Sequence, residues 1–216
     1  GLACDVPSHL YRFAFAPNPD WTRRYSPGPE IQAYMKDVAR RFAVEDLILF
    51  DSEVTRATFG QGRWRVETSK GDQGLFDAVI TATGILHHPA YPDIPGLADF
   101  QGDSFHTARW DHSVDLTGKR VGIIGTGSTA TQIVPAIIDK AAKVSLFQRT
   151  AQWILPEPNA EIEEDRKAAY RADPALLDSQ YSYLKDAFNG AFCAAVAGEA
   201  PDVYNQMAKA CLDNLN

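Results

Sequence analysis

The segment Gly125-Thr126-Gly127-Ser128-Thr129-Ala130 follows a short apolar run, Val121-Gly122-Ile123-Ile124, and opens an apolar helical stretch that reaches about Asp139. Its G-x-G-x-x-G/A spacing suits a dinucleotide pyrophosphate. The first glycine permits a tight strand-to-helix turn, and the second lets phosphate oxygens approach backbone N–H groups. The small residue at 130 allows close helix–strand packing, and the helix N-terminus supplies partial positive charge. A second strand, read at residues 144–147, ends in Gln148-Arg149-Thr150. A carboxylate at this place would bond the ribose 2′-hydroxyl of NAD, whereas an arginine accommodates the 2′-phosphate of NADP. Arg149 stands 24 residues after Gly125 with no competing carboxylate. A guanidinium forms paired, charge-assisted bonds to phosphate, so NADP is favoured. The plainer readings are an unrelated glycine turn and a solvated strand-end arginine; the order strand, turn, helix, strand argues against both.

A second segment, Phe100-Gln101-Gly102-Asp103-Ser104-Phe105-His106-Thr107-Ala108-Arg109-Trp110-Asp111, has the form F-x-G-x-x-x-H-x-x-x-W-D. By residue type alone, His106 and Trp110 would simply pack between domains.

Several elements must position these segments. Residues 1–29 are irregular and rich in proline and aromatics, as in an ordered loop laid over a surface. From Glu30 onward, Ile31, Tyr34, Met35, Val38, Ala39 and Phe42 recur at helical spacing, predicting an amphipathic helix that ends near Ala43. Short β-like runs follow at 47–50, 53–59, 64–68 and 75–81, separated by Gly60-Gln61-Gly62 and Lys70-Gly71-Asp72, which predicts a strand and then a meander. The last run is expected to be a buried strand stopping at Ala82-Thr83-Gly84, a turn small enough to let backbone approach a ligand. Residues 87–118 show neither period and read as a connection between domains. Beyond Pro158, charged and alanine-rich sequence predicts helices near 162–171, 176–192 and 202–214.

The 216 residues carry 21 Lys and Arg against 28 Asp and Glu, a formal charge of −7 that disfavours nucleic acid as a partner. No apolar run approaches the roughly 20 residues that cross a bilayer, and Gly1-Leu2-Ala3-Cys4-Asp5 lacks the basic and apolar regions of a signal peptide. The expectation is therefore a cytoplasmic chain with no membrane partner. Cys4, Cys193 and Cys211 have no CxxC spacing and support neither a disulfide framework nor a metal site.

Taken in order, these segments resemble the Baeyer–Villiger monooxygenases, within the wider class of flavin-containing monooxygenases (class B). The fingerprint of that family, F-x-G-x-x-x-H-x-x-x-W-P/D, is matched by Phe100, Gly102, His106, Trp110 and Asp111. The similarity also covers Cys4-Asp5, Trp21 with Tyr25, Glu30-Ile31, Ser52-Glu53-Val54, Ala82-Thr83-Gly84, the glycine turn, and Phe147-Gln148-Arg149-Thr150-Ala151-Gln152-Trp153, running from Gly1 to about Pro156.

The resemblance implies an α/β fold with two dinucleotide-binding, Rossmann-like domains, the FAD part incomplete, plus a β-meander and a C-terminal helical region. It implies a partial FAD-binding domain over 1–99, an interdomain linker carrying the fingerprint over 100–118, an NADP-binding βαβ unit over 119–158 and a helical subdomain over 159–216. Ala3, Cys4 and Asp5 would lie beside flavin and nicotinamide, with Asp5 positioning a catalytic arginine. Tyr11 and Val54 would contact the flavin nucleotide, and Ala82, Thr83 and Gly84 would form a cofactor-side turn. Gly125, Thr126, Gly127, Ser128, Thr129, Ala130, Thr131 and Gln132 would hold the NADP pyrophosphate, with Arg149 and Thr150 on the 2′-phosphate. His106 would couple domain movement to catalysis.

The implied cofactors are FAD and NADP(H), and the implied partners are a small-molecule ketone and O2. In that family NADPH reduces FAD, O2 adds to the reduced flavin, and the C4a-peroxyflavin attacks the ketone to give an ester or lactone. A glycine motif upstream of Asp5 and a catalytic arginine downstream would complete the pattern, and neither occurs in this sequence. The expectation is an internal fragment, inactive alone, whose partners include the rest of its parent chain. A flavin enzyme oxidising nitrogen or sulfur is the neighbouring alternative, from which Asp5 and Asp111 point away. A non-catalytic NADP-binding module is the alternative of another class.

Overall fold

In the computed structural model, which describes residues 2–84, 86, 88–155 and 157–214, side chains hold the irregular start of the chain in place. Trp21 is fully buried against Ala16, Tyr34 and Val38, the last two from the inward face of α1 (Gly28–Arg41). The Tyr34 hydroxyl accepts the Phe13 N–H at 2.8 Å and donates to the Ala16 carbonyl at 2.7 Å. The buried Ser8 hydroxyl accepts the Ser26 N–H at 2.8 Å and donates toward the carbonyls of Arg23 and Arg24. In the first turn of α1, the Glu30 carboxylate accepts both the N–H and the hydroxyl of Thr22 at 2.8 Å, a site where the helix N-terminus also favours negative charge. These bonds serve peptide groups that have no regular ladder. The helix ends at Arg41, before the left-handed Ala43 (φ 51°), which an α-helix cannot pass.

The expected antiparallel meander forms from β1 (Val54–Gly60), β2 (Arg63–Thr68) and β3 (Gly71–Phe76), in that order. Two expected strands do not form in full. Residues 47–50 follow a 3-10 turn at Glu45–Leu47, and Leu47, Ile48, Leu49 and Phe50 are exposed. Of the buried strand expected at 75–81, Leu75 and Phe76 end β3, whereas residues 77–81 lie outside the sheet, with Ile80 90% exposed. Apolar and β-branched residues suit a pleated, half-buried surface, but a strand also needs a ladder partner, and neither run has one among the described residues.

β4 (Arg120–Ile124) and β5 (Lys143–Phe147) pair in parallel in register from Arg120↔Lys143 to Ile124↔Phe147, with α2 (Ser128–Ile137) between them in sequence. Ile123, Ala130 and Ile137 form the buried centre of this βαβ unit, with Leu116, Val121, Ile133, Val134 and Val144 packed around them. The chain leaves β4 through Gly125 at φ 111°, a conformation open to glycine and strained for other residues, while its N–H bonds the Phe147 carbonyl at 2.9 Å. Gly127 sits at φ −70°.

α3 (Glu164–Ala172) and α4 (Pro174–Asp186) are separated by Asp173, which caps α4 by accepting the Ala175 N–H at 3.0 Å. The expected helix to Phe192 continues instead as a π-helical stretch, Ala187–Cys193, and a single turn, α5 (Ala194–Val196), before α6 (Pro201–Asp213). The helical region attaches to the start of the chain. The Asn159 amide bonds both the N–H and the carbonyl of Tyr25, and Ile162 N–H bonds the Thr22 carbonyl. His9 meets Tyr170 edge-on at 5.1 Å, and the Arg12 side chain, 5% exposed, lies over Tyr181 and pairs with Asp178 at 2.8 Å.

By packing, the chain divides into two units, one of Gly1–Arg41 with Leu116–Asn216 and the other of Phe42–Asp115. The first holds α1, the βαβ unit and the later helices; the second holds the meander and the residues after it.

Burial, then the charges of Arg12 and Arg166, push the His9 pKa down to about 4. An unfolded histidine titrates near 6.5, so the unfolded chain binds the proton more tightly and stability falls as the pH drops from about 6.5 toward 4. The loss amounts to about 2–3 kcal/mol. His9→Phe should remove this part of the pH dependence, measured by denaturant unfolding at several pH values; identical slopes for both proteins would contradict the assignment. Gly125→Ala should cost about 1–3 kcal/mol through its positive φ, and Gly127→Ala much less, in the same unfolding assay.

Candidate functional site

The site begins where β4 ends. Among the described residues no side chain caps α2 at Gly127, so the N–H groups of its first turn, at Ser128, Thr129 and Ala130, are left for a ligand. Ala130 is buried on the strand side of the helix, the close approach that a small residue permits. Thr131 bonds back into the helix, its N–H and hydroxyl both donating to the Gly127 carbonyl. The Thr126 hydroxyl donates to the Thr150 carbonyl at 3.2 Å and so ties the glycine turn to the end of β5.

Arg149, exposed at that strand end, has no hydrogen bond or ion pair among the described residues. Beside the turn lies a groove of about 250 Å³, with Thr126, Thr131, Gln148 and Gln152 on its wall together with Val134 and Leu146. Gln148 and Gln152 are not among the site residues expected from the sequence; their signal there is membership of the segment Phe147–Trp153 around Arg149.

The structure also ties Ala3 to α2. Gln132 accepts the Ala3 N–H at 2.8 Å through Oε1 and donates to the Ala3 carbonyl at 3.3 Å through Nε2. Cys4 is buried, which pushes its thiol pKa up and keeps it protonated, and its N–H bonds the Ser26 carbonyl at 2.8 Å. Asp5, next in sequence, is exposed. Tyr11 follows the short 3-10 turn Ser8–Leu10 and lines a shallow cavity of about 170 Å³ with Leu10, Arg12, Phe13 and Met35.

Val54, Ala82, Thr83, Gly84 and His106 belong to the second unit. Val54 opens β1 and is exposed, as are Ala82, Thr83 and Gly84, the last at φ 73°. His106 caps the turn Thr107–Arg109, its Nδ1 accepting the Ala108 N–H at 3.0 Å, so a neutral ring carries its proton on Nε2. Its ring lies edge-on to Tyr91 at 5.6 Å, and Phe105 meets Trp110 in the same way at 5.1 Å. The Asp111 carboxylate accepts the hydroxyl and N–H of Ser113, which hold its pKa below the usual range. A Cβ on Gly102 would come within 2.7 Å of the Phe100 ring, so any larger residue displaces that ring. The residues of the spaced pattern thus build their own turn.

Among the described residues, no group of three His, Cys, Asp or Glu could hold a metal ion, and no helix is long and apolar enough to cross a membrane.

The family model described as flavin-binding monooxygenase-like matches residues 5–177. A Baeyer-Villiger monooxygenase of Streptomyces coelicolor is 50% identical over 177 residues, covering 81% of this chain and 34% of its own length. An uncharacterized monooxygenase of Mycobacterium tuberculosis is 44% identical over 210 residues, covering 97% of this chain and 42% of its own length. Cyclohexanone monooxygenase from Rhodococcus sp. Phi1, solved bound to NADP+, superposes with a TM-score of 0.71 at 36% identity, over 82% of this chain and 35% of that one. The chain therefore spans less than half the length of these relatives, and its mixed α/β fold is that of enzymes with two Rossmann-like domains. With the family model matching most of its residues, the chain belongs to the flavin-binding monooxygenase-like family.

Proposed function

We propose that this chain is part of an FAD- and NADPH-dependent monooxygenase that places one oxygen atom of O2 into a ketone, yielding an ester or lactone. The observation that carries this reading is that the Thr126–Thr150 bond joins the α2 N-terminus to the strand end bearing Arg149, both without a side-chain partner among the described residues, in one chain with the F-x-G-x-x-x-H-x-x-x-W-D turn. Similarity to the Baeyer-Villiger monooxygenase of S. coelicolor and to cyclohexanone monooxygenase supports the ketone as substrate class.

The residues present fit NADP. Gly125 at its positive φ leaves room for a pyrophosphate to approach, the N–H groups of residues 128–130 supply donors, and Thr126, Gly127 and Thr131 frame the turn. Arg149 and Thr150 receive the 2′-phosphate. Ala3, Cys4 and Asp5 border the nicotinamide and flavin, with Asp5 free to orient a cation. Tyr11 and Val54 contact the flavin nucleotide, Ala82, Thr83 and Gly84 form a turn near it, and His106 couples domain movement to turnover. When bound, FAD accepts electrons from NADPH and delivers them to O2. The protein's part is to align the two cofactors, hold the proton inventory around them and exclude water.

On this reading residues 1–99 serve FAD, 100–118 link, 119–158 serve NADP and 159–216 form a helical subdomain.

In the intact flavoprotein, ketone-dependent NADPH oxidation should yield an ester or lactone detected by mass spectrometry. Amine or sulfide products alone would move the assignment to heteroatom oxidation, and NADP binding without any flavin retention would reduce it to a binding module. Arg149→Ala should weaken NADPH about 10–100-fold, the loss expected for a charge-assisted pair, and NADH by less than about threefold. Equal losses for both would remove the 2′-phosphate from Arg149.

A further inference from the structure

We infer that Gln132 is a positioning residue that sets the segment carrying Asp5 against α2, and so sets where the nicotinamide end of NADPH stops, rather than a ligand of the pyrophosphate. The inference rests on the NADP reading above and deepens it.

The geometry begins with the alternation of an extended segment. Ala3 forms an isolated antiparallel bridge with Pro27, in which the Leu2 carbonyl accepts the Gly28 N–H at 2.7 Å and the Cys4 N–H donates to the Ser26 carbonyl at 2.8 Å. In such a pairing the peptide groups of the middle residue point the other way. On that far side stands α2, and the Gln132 amide meets both groups of Ala3, accepting at 2.8 Å and donating at 3.3 Å. A side-chain amide thus does the work of a neighbouring strand for one residue, across 129 positions of sequence.

With both functions of the amide turned to Ala3, the residue that the family pattern places on the pyrophosphate is engaged elsewhere. Gln132 lies four residues after Ser128, about 6 Å along a rigid helix from the phosphate-facing N–H groups. The separation between the pyrophosphate and Asp5 is therefore set by one helical turn and one amide.

The test uses the intact flavoprotein and Gln132→Met, which keeps the side chain's length and removes both bonds. Three quantities are read: hydrogen–deuterium exchange in peptides covering residues 2–8, affinity for 2′-phospho-ADP-ribose, and flavin reduction at saturating NADPH. The first probe ligand carries the pyrophosphate and 2′-phosphate but no nicotinamide. Exchange should quicken at least tenfold, affinity for 2′-phospho-ADP-ribose should stay within about threefold, and flavin reduction should slow at least tenfold. A fall in 2′-phospho-ADP-ribose affinity matching the fall in reduction would make Gln132 a pyrophosphate ligand and overturn the inference. Faster exchange with unchanged reduction would leave a merely structural tie, and unchanged exchange would deny the tie itself; either overturns it.

Gln132→Glu serves if the methionine variant does not fold. It keeps the acceptor for the Ala3 N–H and loses the donor, so reduction should slow and then recover as pH falls and the carboxyl regains a proton to donate. No recovery would count against positioning. Failure of the unaltered protein to bind 2′-phospho-ADP-ribose would defeat the NADP reading before any variant is made.

Discussion

A proline-rich backbone without a ladder can be packed inside a protein only where side chains from regular elements serve its peptide groups. The first 27 residues of this chain meet that condition from several directions. Tyr34 of α1 serves Phe13 and Ala16, Glu30 serves Thr22, Gln132 of α2 serves Ala3, and Asn159 serves Tyr25. Because these partners come from α1, from α2 and from the segment that leads into α3, the irregular start joins α1, the βαβ unit and the later helices into one packed unit. Its own polar residues close the remainder, as with the buried pair Ser8 and Ser26.

This arrangement explains the unusual side chains beneath it. His9 and Arg12 are buried where the segment meets α3 and α4; Arg12 has an ion pair at Nη2 while its Nε and Nη1 have no hydrogen-bond partner among the described residues. A buried guanidinium held on one side by Asp178 and on one face by Tyr181 is costly unless kept there by the packing around it. Burial, and then this guanidinium together with Arg166, keep His9 neutral. The packing that supports the Asp5 segment is thus coupled to the charge state of its surroundings.

Parts of the site were legible because their chemistry imposes residue types at fixed places. A backbone φ of 111° admits glycine at position 125, close helix–strand packing admits a small residue at 130, and the strand end carries Arg149 with no acidic competitor. In the F-x-G-x-x-x-H-x-x-x-W-D segment, Gly102 lies under the Phe100 ring, His106 caps a turn and Asp111 closes the next, so its spacing reflects local geometry. The meander is legible from short β-like runs separated by the turns Gly60-Gln61-Gly62 and Lys70-Gly71-Asp72. The run at 47–50 and the end of the run at 75–81, beyond Phe76, form no strand because apolar pattern reports a tendency to be covered and says nothing about which ladder does the covering.

What the sequence determined by itself was every feature set by neighbours in the chain: the glycine turn, the amphipathic α1, the hairpin turns, the spaced pattern around His106 and, through their order, the family. Tertiary structure alone decided that Gln132 reaches back 129 residues to Ala3, that Thr126 ties to Thr150, that Gln148 and Gln152 share a groove, and that His9 and Arg12 are buried beneath α3 and α4. The physical reason is range. Dihedral strain, capping and periodicity act over a few residues and leave a signature in local spacing, whereas hydrogen bonds between distant segments need only two compatible groups brought together by the fold, and such groups are present at many positions in any sequence.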